Sequence, residues 1–321
     1  MDSRDLVTRA AEFRNPPRLP FAKGDHADIA YVNFARPRHF LPSTPGLDEW
    51  GCLWTSLNPG SLDQGQVSRH PLDNWSSFER YSFPDPNAPG RFDHLPAQVA
   101  LFRSQRRFIC ASLGKGPMHL LDDLRSFENY LADLLLNPER IDSLLDGIFL
   151  FLAGLLDRFA DLGVDAVLLY DDQAVQSGPL FDMQLWRRHF APRYRRLFDR
   201  AHHLGLKVYM HTCGNLSHHL EPLVAVGVDI IDNKQPALWM DSPAVDAVRG
   251  KVAFSSCLDI QTTIHTIPSD QIPAEVDRLV RRLSLPSGGF IATYYHQPDL
   301  LIPPERTRLM LDAFRSFRWT R

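Results

Sequence analysis

Short apolar runs alternate with amphipathic stretches along the C-terminal two thirds of the chain. The runs are four to eight residues long, apolar on both faces and bounded by Gly or Asp, as expected for strands of a buried parallel sheet. Between them apolar residues recur at spacings of three and four, which predicts helices, most clearly over 183–205 and 272–285. The predicted strands are 107–114, 165–170, 207–212, 228–231, 251–257 and 289–295.

Repeated strand–helix units with short connections predict a parallel sheet, either open or closed into a (β/α)8 barrel. The chain has neither a GxGxxG after a predicted strand nor a GxxxxGK[ST], so nothing supports the open, nucleotide-binding alternative. Polar side chains gather instead where predicted strands end, as in barrel enzymes. We therefore predict an α/β fold of the (β/α)8 TIM barrel type, in a single domain over residues 1–321. The polar strand-end residues are Asp171, Asp172, His211, Cys213, Asn233, Lys234, Cys257, Asp259 and His296.

The segment over residues 1–97 has a different character, because it is rich in Pro, Trp, Phe and Gly and shows little periodicity. Its prolines exclude long regular helices. Its aromatic residues argue against disorder, since disordered segments are usually poor in them. We predict irregular structure packed over the mouth of the barrel, with one early strand at 29–34, and regular repeats over 98–321.

Composition narrows the class of protein. Hydrophobic residues make up 44% and charged residues 23% of the chain, as in globular proteins with a substantial core. The net charge of −3 gives no basic footprint, so we expect no nucleic-acid partner. No apolar run reaches membrane-spanning length and no signal-peptide core is seen at the start, so we expect no membrane association. Four scattered cysteines favour reduced thiols in a cytoplasmic protein.

The candidate chemistry centres on His211 and Cys213. Two residues apart on extended backbone, their side chains point to the same side, and both are good zinc ligands. Both are also ordinary core residues. Asp171 and Asp172 close another run, where an acidic pair is either a turn and capping signal or a general acid. Because neighbouring strand residues alternate in direction, we expect only Asp172 to face the pocket.

Several motifs in register resemble the uroporphyrinogen decarboxylase superfamily. They are GVDAVLLYDD, KVYMHTCGNL, GVDIIDNKQPALWMD, VAFSSCLDIQTTIH and GGFIATYYHQPDLLIPPE, in that order. The resemblance implies a (β/α)8 barrel and one of two activities. One branch comprises decarboxylases that need no cofactor. The other comprises zinc-dependent methyltransferases that serve corrinoid proteins or coenzyme M.

Two features separate these branches. The decarboxylases carry an Arg-rich N-terminal segment for their substrate's carboxylates, whereas this chain offers only Arg36 and Arg38 in FARPRHFLP. The methyltransferases use a His-x-Cys pair, which His211 and Cys213 match, and a later Cys. The later position falls on His296 here, as in the decarboxylases, so this third ligand is chemically possible without being diagnostic.

The resemblance therefore favours a zinc-dependent methyltransferase that moves a methyl group between a small molecule and a corrinoid held by a partner protein. The alternatives are a metal-independent carboxy-lyase and a non-catalytic ligand-binding barrel, in which the strand-end groups would not converge. The expected metal ligands are His211, Cys213 and His296, and the expected catalytic residues are Asp172 and His296. The expected substrate-binding residues are Asp171, Asn233, Lys234, Asp259, Gln261 and Tyr295.

Overall fold

A computed structural model of the chain describes residues 1–56, 65–295 and 300–319. Its centre is a seven-stranded sheet in which every neighbouring pair is parallel and strand order follows chain order. Each predicted strand is present, and the main difference is that the strand predicted over 289–295 is shorter than predicted. The seven strands are β1 (Ile29–Asn33), β4 (Phe108–Lys115), β5 (Ala166–Tyr170), β8 (Lys207–His211), β9 (Ile230–Asp232), β10 (Ala253–Ser256) and β11 (Phe290–Ala292). Two small antiparallel hairpins are β2 (Leu53–Thr55) with β3 (Gln66–Arg69), and β6 (Ala174–Val175) with β7 (Gly178–Pro179).

Helices connect the parallel strands and cover the outer face of the sheet. Their apolar residues recur with helical spacing. In the helix Ile272–Leu283, for example, Ile272, Val276, Leu279 and Leu283 are all buried. In the described part of the chain, no helix combines the length and apolar character needed to cross a membrane. The helices are α1 (Ser3–Ala11), α2 (Leu95–Ser104), α3 (Pro117–Arg125), α4 (Phe127–Leu136), α5 (Pro138–Asp161), α6 (Met183–Leu185), α7 (Ala191–His203), α8 (Leu220–Val226), α9 (Pro243–Val248), α10 (Thr263–Thr266), α11 (Ile272–Leu283) and α12 (Pro304–Ser316).

The inner face of the sheet holds its own hydrophobic cluster, separate from the core under the helices. All seven strands contribute to it, α1 adds Val7 and Ala11, and Ala22 joins from the segment before β1. A sheet whose strands all meet across one face must be strongly curved. The strand residues of this interior cluster are Ile29, Phe108, Cys110, Ala166, Leu168, Tyr209, Ile230, Ala253 and Ile291.

The same alternation places a cavity above this cluster. On a strand, residues i and i+2 face the same side. Tyr31, Tyr170, His211, Asp232 and Thr293 each lie two residues beyond a member of the interior cluster, towards the carboxyl end of its strand, and all five line one cavity. The amino-end half of the inner face is therefore filled by apolar side chains, and the carboxyl-end half is open and polar.

The segment before β1 is hydrogen bonded at both edges of the sheet. Phe21 forms an isolated parallel bridge with Ala292 of β11, where the Ala22 N–H donates to the Ala292 carbonyl at 2.8 Å. On the other side, the Asp28 N–H donates to the Phe21 carbonyl at 2.7 Å, and β1 begins at the next residue. Beyond the seven strands, this edge of the sheet carries one isolated bridge and, among the described residues, no regular eighth strand.

Two local differences from the sequence expectation have clear causes. The N-terminal segment contains the nine-residue helix α1, whose buried Leu6, Val7 and Ala10 show helical spacing. The helix predicted over 183–205 is interrupted by a five-residue π turn, Trp186–Phe190. Pro192 follows this turn, and because proline has no N–H, the regular i→i−4 bond to residue 188 is lost there.

Candidate functional site

Three side chains with metal-binding atoms converge at the carboxyl ends of β5 and β8. One ligand atom each from Asp172, His211 and Cys213 lies within 4.8 Å of the others, and all three residues are half-buried. The Cys213 Sγ and His211 Nε2 atoms are 3.5 Å apart. Tetrahedral zinc with bonds of about 2.0 to 2.3 Å holds its ligand atoms roughly 3.3 to 3.8 Å apart. The described donor set, one sulfur, one nitrogen and one carboxylate, therefore fits a zinc ion.

The His211 ring is oriented by a carboxylate from the neighbouring strand. Asp232 Oδ2 lies 2.6 Å from His211 Nδ1, and the other Asp232 oxygen pairs with the ammonium of the buried Lys234. Burial by itself would raise the pKa of Asp232, but the Lys234 charge and the His211 hydrogen bond outweigh it and hold this pKa well below its usual range. The His211 Nδ1 atom is thus occupied, which leaves Nε2 as the ligand atom.

Asp172 is held from two directions. The Cys213 backbone N–H donates to Asp172 Oδ1 at 2.7 Å, and the His119 Nε2 atom lies 3.5 Å from Oδ2. Burial favours the neutral acid, but the hydrogen bond and charge of His119, with contributions from His211 and the Cys213 N–H, together outweigh it and lower the pKa of Asp172. Burial also opposes charge on His119, but its bond to Asp172 and the nearby Asp171 charge raise the pKa of this imidazole to about 9. Asp172 and His119 therefore form an ion pair beside His211 and Cys213.

The Cys213 thiol lies in a place that disfavours its anion when no cation is near. Burial raises the pKa of Cys213 above its usual range, and the neighbouring Asp172 carboxylate raises it further. Two carboxylates, Asp172 and Asp232, flank the sulfur and the imidazole at this end of the sheet. A thiolate here would add to negative charge that is already concentrated.

The adjoining cavity measures about 160 Å³ and opens between His211 and the segment before β1. Its described walls are dominated by phenol rings, and the ring centroids of Tyr170 and His211 are 5.5 Å apart. Charge is supplied by Lys23, Asp232 and Lys234. The full described lining is Lys23, Tyr31, Leu168, Tyr170, Tyr209, His211, Asp232, Lys234, Thr293 and Tyr295.

Asp171 is not among the described residues that line this cavity, and its predicted substrate contact stays a prediction. Asp171 is fully buried, and its Oδ1 accepts the backbone N–H groups of Met118 and His119 at 3.0 and 3.2 Å. Its Oδ2 accepts from the Tyr194 hydroxyl and from Gln173. Burial raises the pKa of Asp171 to about 6. This carboxylate caps the first turn of α3 and thereby fixes the helix that carries His119.

Asn233 and Asp259 also use their polar atoms within the protein. Asn233 donates to the Thr212 and Gly214 carbonyls and accepts from the Trp239 indole. Asp259 Oδ1 accepts three hydrogen bonds from residues 261 and 262, one of them from the Gln261 N–H. Both side chains are buried, and their hydrogen bonds shape the loops that follow β9 and β10. Neither residue is among the described lining of the cavity. The predicted substrate contacts of these two residues stay predictions.

The other predicted residues have three different placements. Lys234 and Tyr295 line the cavity. Gln261 is exposed and its side chain bonds to Gln176 outside the cavity, and its predicted substrate contact stays a prediction. His296, predicted as both ligand and acid, lies outside the described residues.

Sequence reasoning did not assign functions to three residues that the structure brings to this site. Asp232 could have been found from alternation, since 230, 232 and 234 share one side of the strand and its extension. His119 gives no such signal, because it is placed by the packing of α3 against the end of β5. Lys23 comes from a segment that was expected to be irregular.

Gly214 is required by the turn that presents Cys213. Its φ is +82°, and a Cβ added there would lie 2.3 Å from the Ala174 carbonyl oxygen. Gly205 has a similar φ of +76° with nothing within 4 Å of its added Cβ. We expect Gly205→Ala to cost about 1 kcal/mol of stability through backbone conformation alone. We expect Gly214→Ala to cost on the order of 3 kcal/mol and to lower metal content, because backbone must also move.

Urea unfolding and elemental analysis of the two variants compare these effects directly. Equal losses of stability in Gly205→Ala and Gly214→Ala, with the same zinc content in both, would contradict the close approach at Gly214.

Comparisons with known proteins bear on the family and on the fold. The family model described as "Uroporphyrinogen decarboxylase (URO-D)" matches residues 56–317. Comparison with curated proteins finds none that matches this chain. Among solved structures, a methyltransferase from Methanosarcina mazei is similar with a TM-score of 0.64 at 16% identity, over 83% of this chain and 75% of that one. The IOLI protein, solved with a bound zinc atom, is similar with a TM-score of 0.41 at 13% identity, over 71% of this chain and 84% of that one.

 The likeness to the methyltransferase extends over most of both chains and shows a shared fold.

Proposed function

Because the chain belongs to the uroporphyrinogen decarboxylase family, we propose that it is a zinc-dependent methyltransferase that moves a methyl group to or from a corrinoid on a partner protein. The observation that carries this proposal is the convergence of Asp172, His211 and Cys213 at one point beside a polar cavity. A non-catalytic barrel gives no reason for such convergence.

The metal would be held by Cys213 Sγ, His211 Nε2 and an Asp172 oxygen, with His296 as the further ligand predicted from the sequence. Zinc bound there supplies Lewis acidity, which keeps a thiol ionised or polarises a heteroatom next to a methyl group. Asp232 fixes the tautomer and orientation of His211 through its bond to Nδ1. Lys234 forms an ion pair with Asp232, and His119 forms one with Asp172, so each of the two carboxylates has a cationic partner.

The charge of the cavity favours this function over decarboxylation of a tetrapyrrole. A substrate with eight carboxylates needs a concentrated clamp of cations, usually arginines. The described lining supplies two lysines and no arginine, and Lys234 is already paired with Asp232. A cavity of about 160 Å³ is also below the roughly 300 Å³ typical of sites for drug-sized ligands.

We also propose that the curved sheet closes into a complete (β/α)8 barrel, with residues 20–22 in the place of the eighth strand. The bridge between Phe21 and Ala292 and the bond from Asp28 to Phe21 support this closure. The interior cluster supports the closure as well, because all seven strands of the parallel sheet contribute to it.

The test of the proposed function combines metal analysis with a methyl-transfer assay. We expect protein purified without added metal to contain close to one zinc per chain. We expect the zinc form to demethylate methylcobalamin in the presence of a small thiol, followed anaerobically by the visible spectrum of the corrinoid. Less than about a tenth of an equivalent of zinc, with no uptake on reconstitution, would refute the proposal, since a structural fit to zinc predicts tight binding.

A parallel incubation with uroporphyrinogen distinguishes the alternative. Stepwise release of carbon dioxide by the metal-free protein, without any corrinoid reaction, would assign the site to the carboxy-lyase class.

A further inference from the structure

Lys23 lies between two cavities at the carboxyl-end face of the sheet. It follows the bridge at Phe21 directly and lines the central cavity beside Tyr295, whose ring centroid is 5.8 Å from the Lys23 Nζ atom. It also lines a second cavity of about 540 Å³ between its own segment and α12. The lysine therefore separates the central cavity from a wider opening.

One cation on the wall of the central cavity has no directly paired carboxylate in the described part of the chain. Asp232 and Lys234 form a buried ion pair, so their charges offset each other. Over residues 1–56, 65–295 and 300–319, no carboxylate lies within 4.0 Å of the Lys23 ammonium. Lys23 therefore presents a positive charge to the cavity that no described carboxylate pairs with directly.

Lys23 is exposed, so water also reaches its side chain. The cavity wall and the nearby Lys234 nevertheless lower the pKa of Lys23, the first through burial and the second through its charge. The Tyr295 ring lies beside the ammonium without neutralising its charge. An anionic group in the cavity would pair with this charge.

The cavity also gives such an anion a direction. It extends from Lys23 past Tyr170 to His211, whose Nε2 atom lies 3.5 Å from Cys213 Sγ. A small molecule with its anionic end at Lys23 would present its other end to the cluster of Asp172, His211 and Cys213.

We propose that Lys23 binds the carboxylate of a small substrate whose reacting end faces Cys213. This inference rests on the proposed function only in taking the cavity as the substrate site, and it does not require that zinc be present. The substrate class would be small aliphatic carboxylates. Lys23, from the N-terminal segment, would be the residue that determines this specificity.

The experiment uses the full chain and two probes that differ in charge, propionate and 1-propanol. Ligand-observed NMR titrations measure their binding to the wild type, Lys23→Gln, Lys23→Arg and Lys251→Gln. Lys251 is an exposed lysine outside the cavity and serves as the matched control. Zinc content is measured separately for every protein.

We expect the wild type to bind propionate about tenfold more tightly than 1-propanol, since a hydrogen bond between two charged groups is stronger than one between neutral groups. Lys23→Gln should lose this preference, Lys23→Arg should keep most of it, and Lys251→Gln should match the wild type. Equal binding of the two probes by the wild type, or an unchanged preference in Lys23→Gln, would overturn the inference. A Lys23-dependent preference in a protein that takes up no zinc would support the inference and refute the proposed zinc enzyme.

Discussion

Cys213→Ser will lose most of its zinc, to below about a tenth of an equivalent, while the fold stays intact. The reason is that a neutral hydroxyl is a much poorer zinc ligand than a thiolate. The half-buried Cys213 side chain lies next to His211, and serine differs from cysteine only in the replacement of sulfur by oxygen. Elemental analysis measures the loss, circular dichroism checks the fold, and methyl transfer to or from cobalamin should fall with the zinc.

The matched control for this variant is Cys52→Ser. Cys52 is fully buried, and its Sγ donates to the Asp123 carbonyl at 3.2 Å, a bond that a serine hydroxyl can also make. This variant should keep its zinc. In cobalt-substituted protein, the sulfur-to-cobalt charge-transfer absorption should persist in Cys52→Ser and vanish in Cys213→Ser. If both variants kept zinc and that absorption, Cys213 would not be a metal ligand.

Asp232→Asn should weaken both the metal site and the fold. The change removes the charged partner of His211 Nδ1, and loss of such a partner commonly lowers metal affinity about 10- to 100-fold. It also leaves the Lys234 ammonium buried without a counter-charge, which costs about 3 to 5 kcal/mol. Zinc competition with a chelator measures the first effect, and urea unfolding measures the second.

A double variant separates these two effects. Adding Lys234→Met to Asp232→Asn removes the unpaired charge, so it should restore at least half of the lost stability. It should not restore zinc affinity, because His211 still lacks its carboxylate. Recovery of both properties together would show that Asp232 acts on the metal only through the stability of the fold.

The alternating direction of side chains along a strand predicts much of the site. Residues 170 and 172 fall on one side of the backbone and 171 on the other, and 211 and 213 likewise share a side. The structure follows this pattern, since Asp171 caps α3 while Asp172 approaches Cys213. The seven parallel strands could also be predicted, because runs apolar on both faces are typical of a sheet covered on both sides.

Alternation of side-chain direction also predicts where Asn233 points, after the end of β9. Asn233 was predicted to bind substrate, yet it falls on the opposite side of the backbone from Asp232 and Lys234 and is bonded inside the loop. Loop residues such as Asp259 have no fixed alternation, so a polar type after a strand indicates a turn as readily as a ligand.

Other parts of the site depend on contacts between distant segments and leave no local pattern. His119 reaches Asp172 because Asp171 fixes the start of α3, a relation between residues 52 or 53 positions apart. Lys23 reaches the cavity because Phe21 pairs with Ala292. Neither relation follows from composition or periodicity within one segment.

The bridge between Phe21 and Ala292 has a consequence for synthesis of the protein. Ala292 follows Phe21 by 271 residues, so the segment around Phe21 is made long before the strand with which it pairs. At translation rates of about 5 to 20 residues per second, this interval is roughly 14 to 54 s. During that time the growing sheet keeps one edge without its final partner, and Lys23 cannot take its place at the cavity. The cavity is therefore completed only after Ala292 has been made.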